Sequence, residues 1–305
     1  MRILFVTANR VGDAVLSTGL LDHLIHAHPQ ARITVACGPY AEGVFARMPN
    51  RERTLVLDKR RWNLHWAPLW AWAALRRWDL VVDLRGSALA FLVRTSQRAV
   101  MRPRTGHKTA QLAAVLGLDP PPLPVAWTAP EDRHTAATLL PADAPIIGLG
   151  PTANWEPKVW PADRFAALFR ELARGPLAGA VPAVFAGPGE AERALAAPLL
   201  ATLPQPIDLC GRLSLPQAAA CLARCALYVG NDSGLMHLAA ATGVPTLGLF
   251  GPTPAAEYAP AGRRATAVLA RGRSMSDLSV ERVFAAASRL LESEQVSALA
   301  AAWHH

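Results

Sequence analysis

The chemistry this sequence offers is concentrated between residues 227 and 251, LYVGNDSGLMHLAAATGVPTLGLFG. Asn231, Asp232 and Ser233 have side-chain oxygens of the kind that cap a helix start, and Gly234 follows them directly. A helix opening there points unpaired N–H groups and the positive end of its dipole at whatever lies above it, which makes a phosphate site. Asp232 adds a carboxylate. A bare phosphate pocket has no use for one, whereas a carboxylate suits a ligand with both phosphate and hydroxyls, such as a sugar nucleotide. His237 stands one turn from Ser233, where its ring can face the same pocket. Taken singly, Asp232 could equally be a helix cap and His237 a buried core histidine. Lys158, in WEPKVWP, is the one lysine of the second half of the chain. Set against a diphosphate, it would neutralise charge appearing on a leaving group. Asp13 follows Gly12 at a predicted strand-to-helix turn, where an open α/β sheet presents its ligands; by residue type alone it could as well cap the helix.

The elements that must position these residues read as alternating strands and helices. Around the 231–237 cluster, Leu227–Gly230 and Thr246–Phe250 are strands, with Gly251-Pro252 as the exit. The helix between them buries Leu235, Leu238 and Ala239 and stops at Gly243 and Pro245. At the front of the chain Arg2–Ala8 is a strand and Asn9–Asp13 a turn. Ala14–His28 is a helix with Val15, Leu16, Leu20, Leu21 and Leu24 inside. Strands at Ile33–Ala36 and Thr54–Leu57 flank a helix near Tyr40–Met48. Leu80–Leu84 is a strand running into Arg85-Gly86-Ser87, and Arg102-Pro103-Arg104-Thr105-Gly106 closes a further short one. The stretch 119–130, DPPPLPVAWTAP, has five prolines and reads as a stiff linker between domains at 1–130 and 131–305. Beyond it come a short helix near Glu131–Leu140, strands at Pro145–Leu149, Val181–Ala186 and Ile207–Cys210, a helix opening at Gly211–Leu215, and a final helix at Ser279–Ala302. Gly148-x-Gly150-x-x-Ala153 looks like a dinucleotide fingerprint, but Pro151 disturbs the turn and no helix is due before Pro161.

At 305 residues the chain is long enough for two α/β domains. No run is apolar enough to span a membrane, and MRILFVTANRVGD reads as a strand and its turn, not a signal peptide. The four cysteines lack zinc spacing, Cys221 and Cys225 being one helical turn apart, and read as core residues of a cytoplasmic protein. Residues 1–130 hold 17 Lys and Arg against eight Asp and Glu, a balance of +9; residues 131–305 hold 14 against 15, a balance of −1. The whole net charge of +8 therefore sits in the first domain, which calls for an anionic partner. No nucleic-acid module is present, so nucleic acid is not expected. The segment 60–78, RRWNLHWAPLWAWAALRRW, places Trp62, Trp66 and Trp70 on one helical face between arginine pairs. Two readings stay open: a helix packed on the sheet and bent at Pro68, which amphipathic stripes favour, or an interfacial helix on an anionic membrane. His304 and His305 belong to a tail of unknown role.

The segment 227–251 resembles glycosyltransferase family nine, the heptosyltransferase family of lipopolysaccharide assembly. The resemblance rests on Asp232-Ser233-Gly234-Leu235-Met236-His237, then Gly243-Val244-Pro245, then Gly251-Pro252-Thr253. Val11-Gly12-Asp13-Ala14-Val15-Leu16, Asp83–Ser87, Arg104–Gly106 and Lys158-Val159-Trp160-Pro161 are similar to further landmarks of that family. It implies a GT-B fold, an α/β architecture of two Rossmann-like domains with parallel sheets facing a central cleft. The donor would lie in the C-terminal domain and the acceptor in the N-terminal one, with the last helix packing back. It also implies roles. Asp13 would be the general base, with Gly12 beside the acceptor, and Lys158 the catalytic cation. Thr152, Lys158, Glu190, Leu213, Asp232, Ser233, Gly234 and His237 would hold the donor, Glu190 (in preference to Glu192) at the ribose and Leu213 at the base. Arg85, Arg102, Arg104 and Lys108 would bind acceptor phosphates. The reaction implied is inverting transfer of a sugar, ADP-heptose being the first choice of donor, to an anionic lipopolysaccharide-core or lipid A-type acceptor. No cofactor is expected. No Asp-x-Asp metal pair stands at a strand end, so Mg2+ would at most stimulate. A monomer is expected, in the cytoplasm, with contact at the inner membrane through 60–78 left open. Another nucleotide sugar or a protein acceptor is the nearest alternative, and a non-catalytic nucleotide-sugar or polyanion binder a further one. A nicotinamide oxidoreductase lacks its fingerprint.

Overall fold

The structure, a computed structural model, describes residues 1–58 and 65–302, of which 293–302 as backbone only. Lys59, Trp62, His304 and His305, and with them the front of the 60–78 segment, lie outside the described residues. The chain divides into two compact units, Met1–Trp127 and Thr128–His305.

In the first unit β1 (Arg2–Val6), α1 (Val11–Ala27), β2 (Arg32–Cys37), β3 (Arg51–Val56), α2 (Trp66–Ala74), β4 (Arg77–Asp83), α3 (Leu89–Leu92), β5 (Arg94–Val100) and α4 (Lys108–Ala113) follow in order. The strands form one parallel sheet in the order β3-β2-β1-β4-β5. Ile3, Leu4, Phe5 and Val6 are all buried, as an unbroken apolar run in a parallel strand covered on both faces must be. Leu4 and Val6 join Val81, Leu69, Ala73, Trp78 and Leu89 in a core beneath α2 and α3.

Three expectations for this unit change. α1 opens at Val11, not Ala14, so Gly12 and Asp13 lie in its first turn. Arg10 supplies the extended N-cap backbone and accepts the Ala14 N–H at 3.1 Å, and glycine is tolerated where the first-turn N–H groups have no helical partner. The region near Tyr40–Met48 is a 3-10 turn over Pro39–Phe45. α2 ends at Ala74, and Arg77 and Trp78 belong to β4. Its buried positions are Leu69 and Ala73, four apart; half-buried Trp66 packs against the same core, and Trp70 is exposed. Pro68 falls in the first turn, where a missing N–H removes no helix hydrogen bond.

The proline-rich stretch has no helix or strand before α5 opens at Pro130, and it is pinned to α1. Val125 donates its N–H to Thr18 Oγ1 at 2.8 Å, and a Cβ on Gly19 would come within 2.6 Å of the Pro122 carbonyl.

The second unit runs α5 (Pro130–Leu139), β6 (Ile146–Gly150), α6 (Ala162–Arg174), β7 (Val181–Val184), α7 (Glu190–Thr202), β8 (Ile207–Asp208), α8 (Leu215–Leu222), β9 (Leu227–Asn231), α9 (Gly234–Thr242), β10 (Thr246–Phe250), α10 (Ala255–Tyr258), β11 (Ala265–Leu269) and α11 (Val280–Ala302). Its sheet is parallel, in the order β11-β10-β9-β6-β7-β8. Val283, Ala287 and Leu291 of α11 enter this unit's own core. In both units the strand order reverses at one place, between β1 and β4 and between β6 and β9. Such switch points open a crevice at the carboxyl ends of the strands, which is where open α/β sheets bind ligands.

Candidate active site

At the β6/β9 switch, two loops are tied together by one buried side chain. Asn231, the last residue of β9, accepts the Trp160 backbone N–H on Oδ1 at 3.1 Å and donates from Nδ2 to the Pro151 carbonyl at 2.8 Å. Trp160 is itself fully buried: its indole N–H donates to the Leu278 carbonyl at 2.8 Å and its ring meets Phe165 edge-on at 4.9 Å. The 3-10 turn Glu156–Lys158 is therefore held by its C-terminal neighbour, and the Lys158 ammonium donates to Asp232 Oδ2 at 2.7 Å. The lysine side chain is 17% exposed and the aspartate 8%. A surface ion pair contributes about 0–1 kcal/mol. At this depth each charge is also what makes the other's burial tolerable, so losing either partner costs more than the pair contributes.

The head of α9 departs from the expected cap. Ser233 is the N-cap by position, in extended backbone, but its hydroxyl makes no capping bond. Asn231 is occupied with the two loops and Asp232 with the ammonium, a stronger partner for a carboxylate than a neutral amide. Among the described residues, the first turn of α9 thus keeps its N–H groups, and its dipole end, without a side-chain cap. Gly243 closes the helix in the left-handed conformation at φ 85°, as its position predicts. Met236, His237, Leu238, Ala239 and Ala240 are buried and Leu235 only half so; the inner face is broader than the sequence pattern indicated.

Beneath this crevice lies Tyr228 of β9, fully buried. Burial pushes its phenol pKa up, the Ser233 hydroxyl acting against that shift. A Cβ on Gly150 would fall on the Tyr228 hydroxyl, and one on Gly230 would come within 2.6 Å of it. Gly148 likewise lies against the Tyr228 ring and the Cys225 thiol, at 3.1 Å each for an added Cβ. These glycines are strand residues that make room for a tyrosine, not a nucleotide-binding turn.

The remaining expected donor residues sit on neighbouring loops. Thr152 is buried just after β6. Glu190 is exposed as the first residue of α7, behind Gly189 at φ 108°. Glu192 turns back instead, its carboxylate accepting the Gly187 N–H at 3.2 Å. Leu213 is half-buried ahead of α8, whose start is closed by Ser214 and Gln217: the Ser214 hydroxyl accepts the Gln217 N–H at 3.4 Å and the Gln217 side-chain Oε1 accepts the Ser214 N–H at 3.0 Å. Gly211, at φ 69°, comes so close to Pro188 that a Cβ would lie 3.3 Å from its Cα, so these two loops touch. Thr152, Lys158, Glu190, Leu213, Asp232, Ser233, Gly234 and His237 thus all follow the carboxyl ends of β6, β7, β8 and β9.

In the first unit, Gly12 and the half-buried Asp13 open α1 beside the β1/β4 switch. Arg85 reaches across that switch, donating to Asn9 Oδ1 at 2.9 Å, with its guanidinium 5.0 Å above the Trp66 ring. The turn that carries it is held by Asp83, which accepts the N–H groups of Arg85 and Ser87 at 2.9 Å each and the Ser87 hydroxyl at 2.5 Å. Burial pushes the Asp83 carboxyl up, and those hydrogen bonds only partly offset it. Arg102 and Arg104 are exposed on the loop after β5, and Lys108 is half-buried where α4 opens under the His107 cap. Asn231 and Asp83 are the two positioning residues that sequence reasoning undervalued. Their signal is a polar residue closing an otherwise apolar strand.

The family model Glycosyltransferase family 9 (heptosyltransferase) matches residues 72–287. Lipooligosaccharide heptosyltransferase 2 of Haemophilus influenzae is 25% identical, over 88% of each chain. Lipopolysaccharide heptosyltransferase 1 of Pseudomonas aeruginosa is 29% identical, over 83% of this chain and 79% of its own. Among solved structures, a glycosyl transferase family 9 protein from Veillonella parvula superposes with a TM-score of 0.80 over 96% of this chain and 97% of its own, at 24% identity.

Proposed function

The chain belongs to glycosyltransferase family 9, the heptosyltransferase family, and on that footing we propose that it transfers heptose from ADP-heptose, with inversion, to an anionic lipid-linked saccharide of the lipopolysaccharide core. It is a glycosyltransferase of GT-B fold. The names of its relatives support heptose as the sugar and a lipopolysaccharide-type acceptor.

The observation that carries the reading is the Lys158–Asp232 pair at the open head of α9. The donor brings what each member lacks in the other's absence. Diphosphate oxygens take the Lys158 ammonium and the first-turn N–H groups at Ser233 and Gly234, and sugar hydroxyls donate to the released Asp232. His237 supports the diphosphate from within α9, Thr152 borders it, Glu190 takes the ribose hydroxyls and Leu213 the base. Asp13 removes the proton from the acceptor hydroxyl as its oxygen bonds to the anomeric carbon and the carbon–diphosphate bond breaks. Positive charge spreads over the sugar and negative charge gathers on the departing diphosphate, where Lys158 and the helix dipole are already in place. Gly12 lies beside the acceptor, and Arg85, Arg102, Arg104 and Lys108 bind its phosphates. Because a lysine and a helix end supply the positive charge, we assign no obligatory metal. On this reading the enzyme acts as a monomer in the cytoplasm. No described helix is long and apolar enough to cross a membrane.

Thermal-shift and product assays with ADP-heptose beside UDP- and GDP-sugars test this. Stabilisation by the ADP sugar, with turnover onto a Kdo–lipid A acceptor in the presence of EDTA, is expected. Preference for another nucleotide would remove the heptosyl assignment, and binding of none would remove the site.

A further inference from the structure

α2 is apolar on every side, WAPLWAWAA, with no charged or hydroxyl side chain. A helix hydrophobic all round belongs in an interior or against lipid. Here Leu69 and Ala73 face the sheet, and the opposite side meets solvent with Ala67, Pro68, Trp70 and Ala71. α3 extends that surface. Trp70 is 46% exposed, Leu75 87%, Phe91 64% and Leu92 60%. Trp70, Phe91 and Leu92 belong to one patch, because the Trp70 indole N–H donates to the Leu92 carbonyl at 3.2 Å and α2 packs on α3.

Arginines surround it. The Arg98 guanidinium lies 5.7 Å over the Phe91 ring and its Nε donates to the Ala90 carbonyl at 3.1 Å. Arg76 stacks 3.8 Å over the Trp72 ring, with Arg53 on the same ring at 5.6 Å. Arg94 lies on β5, the edge strand of the sheet, and alternation puts it on the same face as Arg98. Residues 66–100 hold five arginines against two aspartates. Of these, Asp83 is buried within its turn and Asp79 accepts the Arg2 N–H at 2.6 Å.

We propose that the outer face of α2 and α3, centred on Trp70, Phe91 and Leu92 and rimmed by Arg76, Arg94 and Arg98, docks on an anionic lipid bilayer. The charge pattern selects this occupant over an apolar protein groove: aromatic and aliphatic tips inside a ring of arginines match an acyl boundary beneath anionic headgroups. Trp70 can enter that boundary at no cost in hydrogen bonding, since its N–H is already bonded to Leu92. The proposal rests on the reading that the acceptor is lipid-linked, and it names the surface by which the enzyme reaches it.

Co-sedimentation with vesicles, without donor or acceptor, tests it. The wild-type chain is expected to pellet with phosphatidylglycerol/phosphatidylethanolamine vesicles, to stay in solution with phosphatidylcholine, and to release in about 0.5 M salt. Phe91→Gln/Leu92→Gln and, separately, Arg94→Gln/Arg98→Gln should lower partitioning at least tenfold, with the thermal midpoint and turnover of a deacylated soluble acceptor retained. A wild-type chain that stays in solution with anionic vesicles overturns the proposal, as do variants that pellet like wild type. So does a wild-type dimer that Phe91→Gln/Leu92→Gln converts to monomer without changing pelleting, which would make the patch an interface between copies. Failure with ADP-heptose as donor would leave the vesicle result untouched, so the two readings fail separately.

Discussion

Lys158 and Asp232, 74 residues apart in the chain, meet at 2.7 Å across the β6/β9 switch. Each is thereby held in place, and each is occupied until a ligand separates them. Asp232→Asn should therefore release the ammonium for a diphosphate. We expect ADP to bind about tenfold tighter, worth about 1.4 kcal/mol. Transfer should nonetheless fall by on the order of 10²-fold as the sugar loses its acceptor. Lys158→Ala should weaken ADP and transfer together. Calorimetric titration with ADP decides; equal weakening by both substitutions would mean that the pair does not compete with the ligand.

Asp13 lies in the first unit and the proposed nucleotide site in the second. Asp13→Asn preserves size in the first turn of α1. Turnover should drop by on the order of 10²–10⁴-fold, the range for loss of a general base. The ADP dissociation constant should not move. A variant that keeps wild-type turnover would exclude Asp13 as the base.

Gly150 is compelled by Tyr228. Gly150→Ala sets a methyl on the phenol oxygen and should cost about 1–3 kcal/mol in urea unfolding, as overpacked cores do. Tyr228→Phe, made on top of it, should recover part of that loss. A double variant no more stable than Gly150→Ala would place the strain elsewhere.

Asp83 is buried, and its carboxyl pKa lies above the ordinary value near 3.9. The native state therefore holds this proton more tightly than the unfolded one. The stability it contributes is fully present below the unfolded value and is lost as pH rises through the raised native one. Asp83→Asn removes that dependence. Wild type should lose ground against the variant as pH rises above about 4. A gap in unfolding free energy that stays constant with pH would contradict this.

All four cysteines are free and buried. Burial pushes Cys37 and Cys210 up to about 12 and Cys221 up to about 11, and moves Cys225 in the same direction. Thiolate, the reactive form, is scarce in the native protein. Ellman's reagent at pH 8 should find no rapidly reacting thiol until denaturant is added, and then four. A fast native thiol would show a looser core at α8 or β2.

The alternation of apolar strands and helices was legible because burial on both faces of a parallel sheet demands long apolar runs, as in Ile3–Val6 and Leu227–Gly230. The 231–237 cluster was legible too, since a polar triplet followed by glycine has few roles at a strand end. What each member of the triplet does was not. Capping propensity is local, and it lost to partners from distant loops: Asn231 to Trp160 and Pro151, Asp232 to Lys158. The tryptophan spacing was only partly informative for a related reason: Trp66 packs on the core and Trp70 does not. Spacing gives the faces of a helix but not which one meets the sheet, and the narrow Leu69–Ala73 side fits there while Trp70 stays outside.

By itself, then, the sequence determined the strand and helix alternation, the basic first unit and the residue types at each strand end, because these follow from hydrophobic period, charge count and backbone preference. Only the tertiary structure decided which strand ends become neighbours. Both strand orders reverse once, and that reversal brings residues from widely separated loops to hydrogen-bonding distance, where their ionic and polar groups outcompete the local bonds that propensity alone would assign.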